Sequence, residues 1–470
     1  MEVGTWESEG TMSSEPLTRT ENYKVTRNAC KLCTPLGASL AFKGIRGAVS
    51  LLHGSQGCST YIRRYMISHF REPIDIASTN FSENTSIYGG AENLKTALKN
   101  ISLQYHPELI GIATTCLSET IGDNVPMIMN KFRKELKGAT FPPVVHVSTA
   151  SYRGTHVDGF HSTVEAIVEQ VAERSEDGVQ EAFINIMPGM LSPADLRILK
   201  EVLEDFGLKY VLLPDYSETL DGQPWTEYER IPAGGTPLQL IRNMGNARAS
   251  IEFGEIGVNR HSAGKVLEDK YAVPRTLFRI PLGVAENDAF FGLLEKLSGM
   301  ATPKKYLDQR GRLVDAYLDG HKYVFEKKAV VLGEEDFVVA VAAFLHEIGM
   351  IPVLCASGGN STLLKEKIAC IIPDFEKRNM SVCSDVDFME IEEKAKLLEP
   401  DLIIGNSKSY QMASRLNVPL IRMGFPIHDR FGGSRVKHVG YEGTLELFDK
   451  LVNALLETTQ ADSGLGYSYL

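Results

Sequence analysis

The chain has 470 residues, 43% of them hydrophobic and 23% charged, and a formal net charge of −11. Its length exceeds one ordinary hydrophobic core and predicts two or three domains of roughly 100–200 residues each. The acidic balance excludes broad binding to nucleic acid or anionic membrane, since both need a basic surface.

Met1 to about Thr20 is polar and acidic with no apolar signal core, so residues 1–20 read as a disordered leader outside the fold. Beyond it, short β-branched runs end in small or polar residues and lead into helical patterns. Leu109–Ala113 runs into Thr114-Thr115-Cys116, and Val144–Val147 into Ser148-Thr149. Phe183–Ile186 ends at Pro188-Gly189, Tyr210–Leu213 at Pro214-Asp215, and Leu277–Ile280 at Pro281-Leu282-Gly283. Ala329–Leu332 ends at Gly333, Pro352–Cys355 at Ala356-Ser357, Leu402–Ile404 at Gly405-Asn406, and Leu420–Arg422 at Met423-Gly424. Continuous apolar runs with intervening helices are parallel strands buried on both faces. The predicted fold is α/β, with three doubly wound, Rossmann-like parallel-sheet units over residues 21–175, 176–310 and 311–470. A charged helical segment, Thr302–His321, joins the last two. In such folds function sits at the carboxyl ends of strands, where the strand order reverses. The apolar run Phe337 to Leu345 is cut off by His346 and Glu347. It falls short of the about 20 residues a membrane span needs, and the expected location is cytoplasmic.

No G-x-G-x-x-G follows a predicted strand, and Gly257…Gly264-Lys265-Val266 has neither the spacing of a P-loop nor its Ser or Thr. His346-Glu347 has Met350 where a zinc protease needs its second histidine. No triad or carboxylate pair stands out. A nucleotide-dependent step would therefore belong to a partner.

Seven cysteines are present: Cys30, Cys33, Cys58, Cys116, Cys355, Cys370 and Cys383. In a reducing compartment they point to metal binding, catalysis or burial rather than disulfides. Three share a local context. Cys33 precedes Thr34-Pro35, a good N-cap and first helical residue. Cys58 ends the turn His53-Gly54-Ser55-Gln56-Gly57, and Cys116 follows a strand end. Helix N-termini favour thiolates, which are the ligands iron–sulfur clusters require. Gly54 and Gly57 would let the backbone approach a bulky cluster. The same three residues are equally compatible with cysteines packed as small apolar side chains. Three ligands are one short of a four-cysteine cluster, and the fourth is open between Cys30, Ser151 and a group from another subunit. Cys355 reads as core. His53 and His69 read as hydrogen-bonded structural histidines. Arg63, Arg64, Arg71 and Glu72 either dock a partner or form a solvated helix face.

His53-Gly54-Ser55-Gln56-Gly57-Cys58, His69-Phe70-Arg71-Glu72-Pro73 and Thr114-Thr115-Cys116-Leu117-Ser118-Glu119-Thr120 form an ordered set of motifs. Pro188-Gly189…Ser192-Pro193-Ala194-Asp195 and Gly424-Phe425-Pro426-Ile427-His428-Asp429-Arg430 extend it. Together, from about residue 25 to 457, they resemble the β-type subunits of the nitrogenase component 1 family and their assembly homologues. Two kinds of member compete: the catalytic molybdenum–iron β subunit, and NifN, the cofactor-biosynthesis chain. Phe425 to Arg435, Gly440-Tyr441-Glu442-Gly443-Thr444 and Asp215 to Gly222 favour the NifN branch.

That resemblance implies a scaffold for iron–molybdenum cofactor assembly. It implies a heterotetramer with a NifE-type α subunit, two copies of each. The complex would accept an iron–sulfur precursor from NifB and mature it with molybdenum and homocitrate, assisted by the Fe protein. It would then pass the product to the catalytic molybdenum–iron protein. Cys58 matches the cysteine that NifN-type chains contribute to a 4Fe–4S cluster shared with NifE. Cys33 and Cys116 match further cluster ligands of the catalytic β subunit, and Ser151 falls where that subunit offers a serine. The cluster is then either the shared 4Fe–4S cluster or one closer to the eight-iron P-cluster. The alternatives are a catalytic β subunit carrying the P-cluster and a small-ligand-binding α/β protein with structural cysteines.

Overall fold

Among the described residues, thirteen strands form three sheets in which every pairing is parallel. The structure is a computed structural model that describes residues 29–138, 140–176 and 180–463. The expected leader, residues 1–20, and the start of the first unit lie outside them. The first sheet contains β1 (Ala48–His53), β2 (Ala77–Ser78), β3 (Leu109–Thr114) and β4 (Val144–Val147), in the order β2-β1-β3-β4. The second contains β5 (Glu181–Met187), β6 (Lys209–Leu212), β7 (Ala247–Phe253) and β8 (Arg275–Phe278), in the order β6-β5-β7-β8. The third contains β9 (Lys328–Leu332), β10 (Ile351–Ala356), β11 (Ser381–Cys383), β12 (Leu402–Gly405) and β13 (Leu420–Arg422), in the order β11-β10-β9-β12-β13.

Seven of the nine predicted runs lie wholly on strands of this set; Tyr210–Leu213 passes the end of β6 by one residue, and Leu277–Ile280 shares only Leu277 and Phe278 with β8. The central strands β1 and β3 are buried at every position, as parallel strands covered on both faces must be. In each sheet the chain leaves its first strand on one side and returns on the other. The reversal points lie between β1 and β3, between β5 and β7, and between β9 and β12. The segment Thr302–His321 falls largely within a helix, Lys304–Val324. The apolar run from Phe337 lies in the helix Glu335–Glu347, most of which is buried beside the third sheet. Among the described residues no helix is long and apolar enough to cross a membrane.

Two helices meet at unusually close range on the first sheet. A Cβ on Gly37, in the helix Thr34–Lys43, would lie 1.7 Å from the His156 carbonyl oxygen. One on Gly159, in the helix His156–Val171, would lie 1.9 Å from the Thr34 carbonyl oxygen. Only glycine fits at both positions. The crossing is locked by the His156 amide, which donates to the Leu32 carbonyl at 3.0 Å.

Charge-assisted hydrogen bonds join the sheet units. Asp336 accepts the backbone N–H groups of Glu255, Ile256 and Gly257 at 2.6, 2.7 and 2.9 Å. Asp195 accepts those of His438 and Val439 at 2.7 and 3.0 Å. His69, near the end of the helix Gln56–Phe70, packs edge-on against Phe70 and Phe425. Its Nδ1 accepts the Ile427 amide at 2.8 Å.

Burial pushes the His69 imidazole down to about 3, and a ring nitrogen that accepts an amide proton cannot also carry one. Between that value and the unfolded value of about 6.5, the unfolded chain binds a proton here that the folded chain does not. This contribution to stability is complete above about pH 6.5 and falls by about 1.4 kcal/mol per pH unit below it. Thermal denaturation of His69→Asn, whose amide oxygen can still accept from Ile427, is expected to show a shallower acid limb than the parent chain. Equal limbs would remove His69 as a source of acid sensitivity.

Candidate cluster-binding site

The three cysteines gather beside the reversal point of the first sheet. The end of β1 turns through Gly54 into Ser55, the N-cap of the helix Gln56–Phe70, and Cys58 sits in its first turn. The end of β3 passes through Thr115, the N-cap of the short helix Cys116–Thr120, which Cys116 opens. Cys33 is itself the N-cap of the helix Thr34–Lys43, with extended backbone (φ −65°, ψ 139°). The expected cap, Thr34, is instead the first helical residue, and its buried hydroxyl has no partner among the described residues. The shift of one residue puts the thiol, not a hydroxyl, at the helix mouth.

Ser151 opens a 3-10 turn beyond β4 and ties two of these elements together. Its amide donates to Cys116 Sγ at 3.3 Å, and its hydroxyl accepts the Thr34 amide at 3.2 Å. Ser55 Oγ lies 3.9 Å from Cys58 Sγ. The strand ends beneath are braced by polar contacts. Thr149 Oγ1 donates to the Thr114 carbonyl at 2.6 Å, and Glu119 accepts the Thr114 and Ser148 hydroxyls at 2.6 and 2.7 Å. His53 is fully buried, with Nε2 3.1 Å from Asp123 Oδ2.

Exposure divides the cysteines. Cys58 and Cys116 are exposed and Cys33 half-buried. Burial pushes the Cys33 thiol up, and the nearby Cys116 and Cys58 sulfurs add to this. The Ser151 hydrogen bond and the Lys408 charge oppose the shift. Burial therefore outweighs the helix end at Cys33, and a thiolate there needs a compensating cation. Lys408 comes from the third sheet unit. Its Nζ lies 5.6 Å from the Tyr65 ring centroid and 3.5 Å from the Ala29 carbonyl. Sequence reasoning missed it because no local pattern links Asn406–Ser409 to the cysteines; its one signal is a lysine in a strand-end turn.

Cys30 does not join the group. It is buried against the third unit, hydrogen-bonded by the Gly358 backbone, with its thiol pushed up to about 12 by burial. Cys355 is also core. Gly54 has a packing role: a Cβ there would lie 2.1 Å from Thr115 Oγ1. At Gly57 the nearest atom, Ser55 Oγ, would be 3.8 Å away, so a Cβ there meets nothing closer than ordinary contact. Among the described residues no three His, Cys, Asp or Glu side chains converge as a single metal ion requires. Three separated soft donors around an open face, with an amide donor to one sulfur, fit a multi-iron cluster instead. Cys33, Cys58 and Cys116 would hold it, with Ser151 beside them.

The other polar residues singled out by sequence fall elsewhere. Arg63 and Arg64 are exposed on the Cys58 helix. Arg71 donates to the His428 carbonyl at 3.2 Å. Asp429 is an internal partner, with Arg422 Nη2 at 2.7 Å, while Arg430 remains largely exposed.

Glycine substitutions separate packing from openness. Gly54→Ala is expected to lower unfolding free energy by about 1–3 kcal/mol through overpacking on Thr115. Gly57→Ala should leave it within about 0.5 kcal/mol. Urea denaturation midpoints check both, and equal values would refute the Gly54–Thr115 constraint.

The profile of nitrogenase component 1 type oxidoreductases matches residues 33–456. The nitrogenase molybdenum–iron protein beta chain of Clostridium pasteurianum is 33% identical over 451 residues, covering 96% of this chain and 98% of that one. The iron–molybdenum cofactor biosynthesis protein NifN of Bradyrhizobium diazoefficiens is 35% identical over 432 residues, covering 91% and 89%. NifN of a Nostoc species is 32% identical over 441 residues, covering 94% and 95%. A solved structure of nitrogenase Cp1 at pH 6.5 superposes with a TM-score of 0.91 at 33% identity, covering 96% of this chain and 98% of that one.

Proposed function

Because the chain belongs to the nitrogenase component 1 type oxidoreductase family, we propose that it is a NifN-like scaffold subunit for iron–molybdenum cofactor assembly. It pairs in the cytoplasm with a NifE-type α subunit, as two copies of each. The complex accepts an iron–sulfur precursor from NifB, matures it with molybdenum and homocitrate with help from the Fe protein, and delivers it to the catalytic molybdenum–iron protein. The observation that carries the scaffold reading is a contact. Two of the three stretches on which the NifN resemblance rests meet in space: Asp221 Oδ1 lies 3.3 Å from Ser434 Oγ and 3.4 Å from Arg435 Nη1. They pack as one unit, with Ser434 buried and Asp221 nearly so.

The open face supports the shared cluster. Tyr61, Leu117 and Tyr152 are 47%, 37% and 60% exposed beside Cys58, Cys116 and Ser151, the composition of an interface core waiting for its partner. When bound, an iron–sulfur cluster would supply one-electron transfer at this face. The chain's own part is to position soft donors, to donate an amide to Cys116 Sγ and to place the Lys408 charge near Cys33.

A second reading has its own support. Cys33, Cys116 and Ser151 are all present around Cys58, a donor set large enough for the P-cluster of a catalytic β subunit. The complex purified anaerobically with its native partner, and given Fe protein, ATP and reductant, distinguishes them. The scaffold reading expects a cluster-loaded complex that makes no ammonia from dinitrogen. Sustained ammonia production would assign the catalytic role instead. In either case Cys58→Ala is expected to lose cluster iron with circular dichroism unchanged, and full iron retention would end its assignment as a ligand.

A further inference from the structure

A second cavity lies away from the thiols, between the carboxyl ends of the second and third sheets. Its wall includes Pro188 and Gly189 beyond β5, Gly254 beyond β7, Glu334 beyond β9 and Gly424 beyond β13. Pro188, Gly189 and Gly254 flank the reversal point of the second sheet and Glu334 one side of that of the third, where open α/β folds place ligands. The lining is mainly apolar, with no cysteine, and the volume is about 90 Å³. An apolar cavity of roughly 150 Å³ admits benzene, so this one admits something smaller.

Three imidazoles line it, each with unused hydrogen-bonding capacity. His161 is 7% exposed and makes no hydrogen bond among the described residues. His438 Nδ1 lies 3.0 Å from Oδ2 of the fully buried Asp195 carboxylate, and in the tautomer with the proton on Nδ1 the other ring nitrogen, Nε2, is an acceptor. That Nε2 is buried and has no partner among the described residues. His69 accepts the Ile427 amide at Nδ1, so its neutral ring carries the proton on Nε2. Unpaired buried polar groups cost stability unless a ligand or water satisfies them.

Charge narrows the class. The carboxylates of Glu334 and Asp336 repel anions. Both are already engaged, Glu334 with His156 Nε2 at 3.0 Å and Asp336 with its three backbone donors. A cation would exchange its hydration shell for mostly apolar walls, with the nearby carboxylate oxygens already taken up by other donors.

We propose that this cavity binds a small uncharged polar molecule of up to about five non-hydrogen atoms. It donates a hydrogen bond to His438 Nε2 and accepts one from His69 Nε2, with His161 as a further polar contact. The site is independent of the cluster reading, since no lining residue is a cysteine.

Acetamide is the probe, with acetate and methylammonium as charged controls of similar size. Binding to the full chain in its purified assembly is read by ligand-observed NMR and by soaked crystals. Acetamide is expected to bind with a millimolar dissociation constant and to show density within hydrogen-bonding distance of His438 Nε2. Each charged control should bind at least about tenfold more weakly. Met190→Trp plugs the half-exposed rim without touching the histidines and should weaken acetamide by about tenfold or more. His438→Phe should do the same; if it unfolds by stranding Asp195, the Met190 variant carries the test. Equal binding of acetate or methylammonium, acetamide binding indifferent to Met190→Trp, or no acetamide in the cavity would each overturn the proposal.

Discussion

The close crossing of the helices Thr34–Lys43 and His156–Val171, at Gly37 and Gly159, is the constraint on which the thiol-bearing face depends. Each glycine lets one helix backbone rest on a carbonyl of the other. Those carbonyls, of Thr34 and His156, lie at the helix ends nearest Cys33. The packing depth of the two helices thus sets where the Cys33 cap stands relative to the Ser151 turn. A methyl group at either glycine would have to push the helices apart, and the 3.2 Å bond from Thr34 to Ser151 would go with it. The chemistry of the face is exposed and polar, but its geometry is fixed by dry backbone packing underneath.

The three sheets share one topological device and use it differently. In the first, the reversal between β1 and β3 opens outward and carries thiols on short helix starts. In the second and third, the corresponding strand ends face one another and enclose imidazoles among apolar side chains. The Asp336 and Asp195 carboxylates hold those ends together by accepting backbone donors from the neighbouring unit. Ionic contacts of this kind are directional, so they fix the relative placement of the units as well as adding stability.

Much of this was legible in the sequence where strands were apolar without interruption. Four strands were missed, for different reasons. Ala77–Ser78 and Ser381–Cys383 are too short to show a pattern. Ala247–Phe253 hides behind Ser250 and Glu252, which are buried because Asn185 and Arg275 meet them from neighbouring strands. Ala48–His53 is buried throughout and lies between Gly47 and Gly54, so its apolar run is bounded by the turn residues that mark a strand. At the site, Cys33, Cys58 and Cys116 were visible through their helix-start contexts. The Cys33 cap was misplaced because Thr34-Pro35 is a strong local signature that tertiary packing overrides. The exclusion of Cys30 and the approach of Lys408 depend on the third unit folding back over the first, which no local pattern encodes.

The unequal exposure of the thiols has a consequence for the life of the chain outside its assembly. Cys58 and Cys116 stand open to solvent, while Cys33 is sheltered. Exposed thiols climb the oxidation ladder through sulfenic to sulfinic and sulfonic acids, and the later rungs are closed to ordinary reductants. A chain with this face uncovered is therefore oxidised first at Cys58 and Cys116. Whatever covers that face protects both thiols as well as using it.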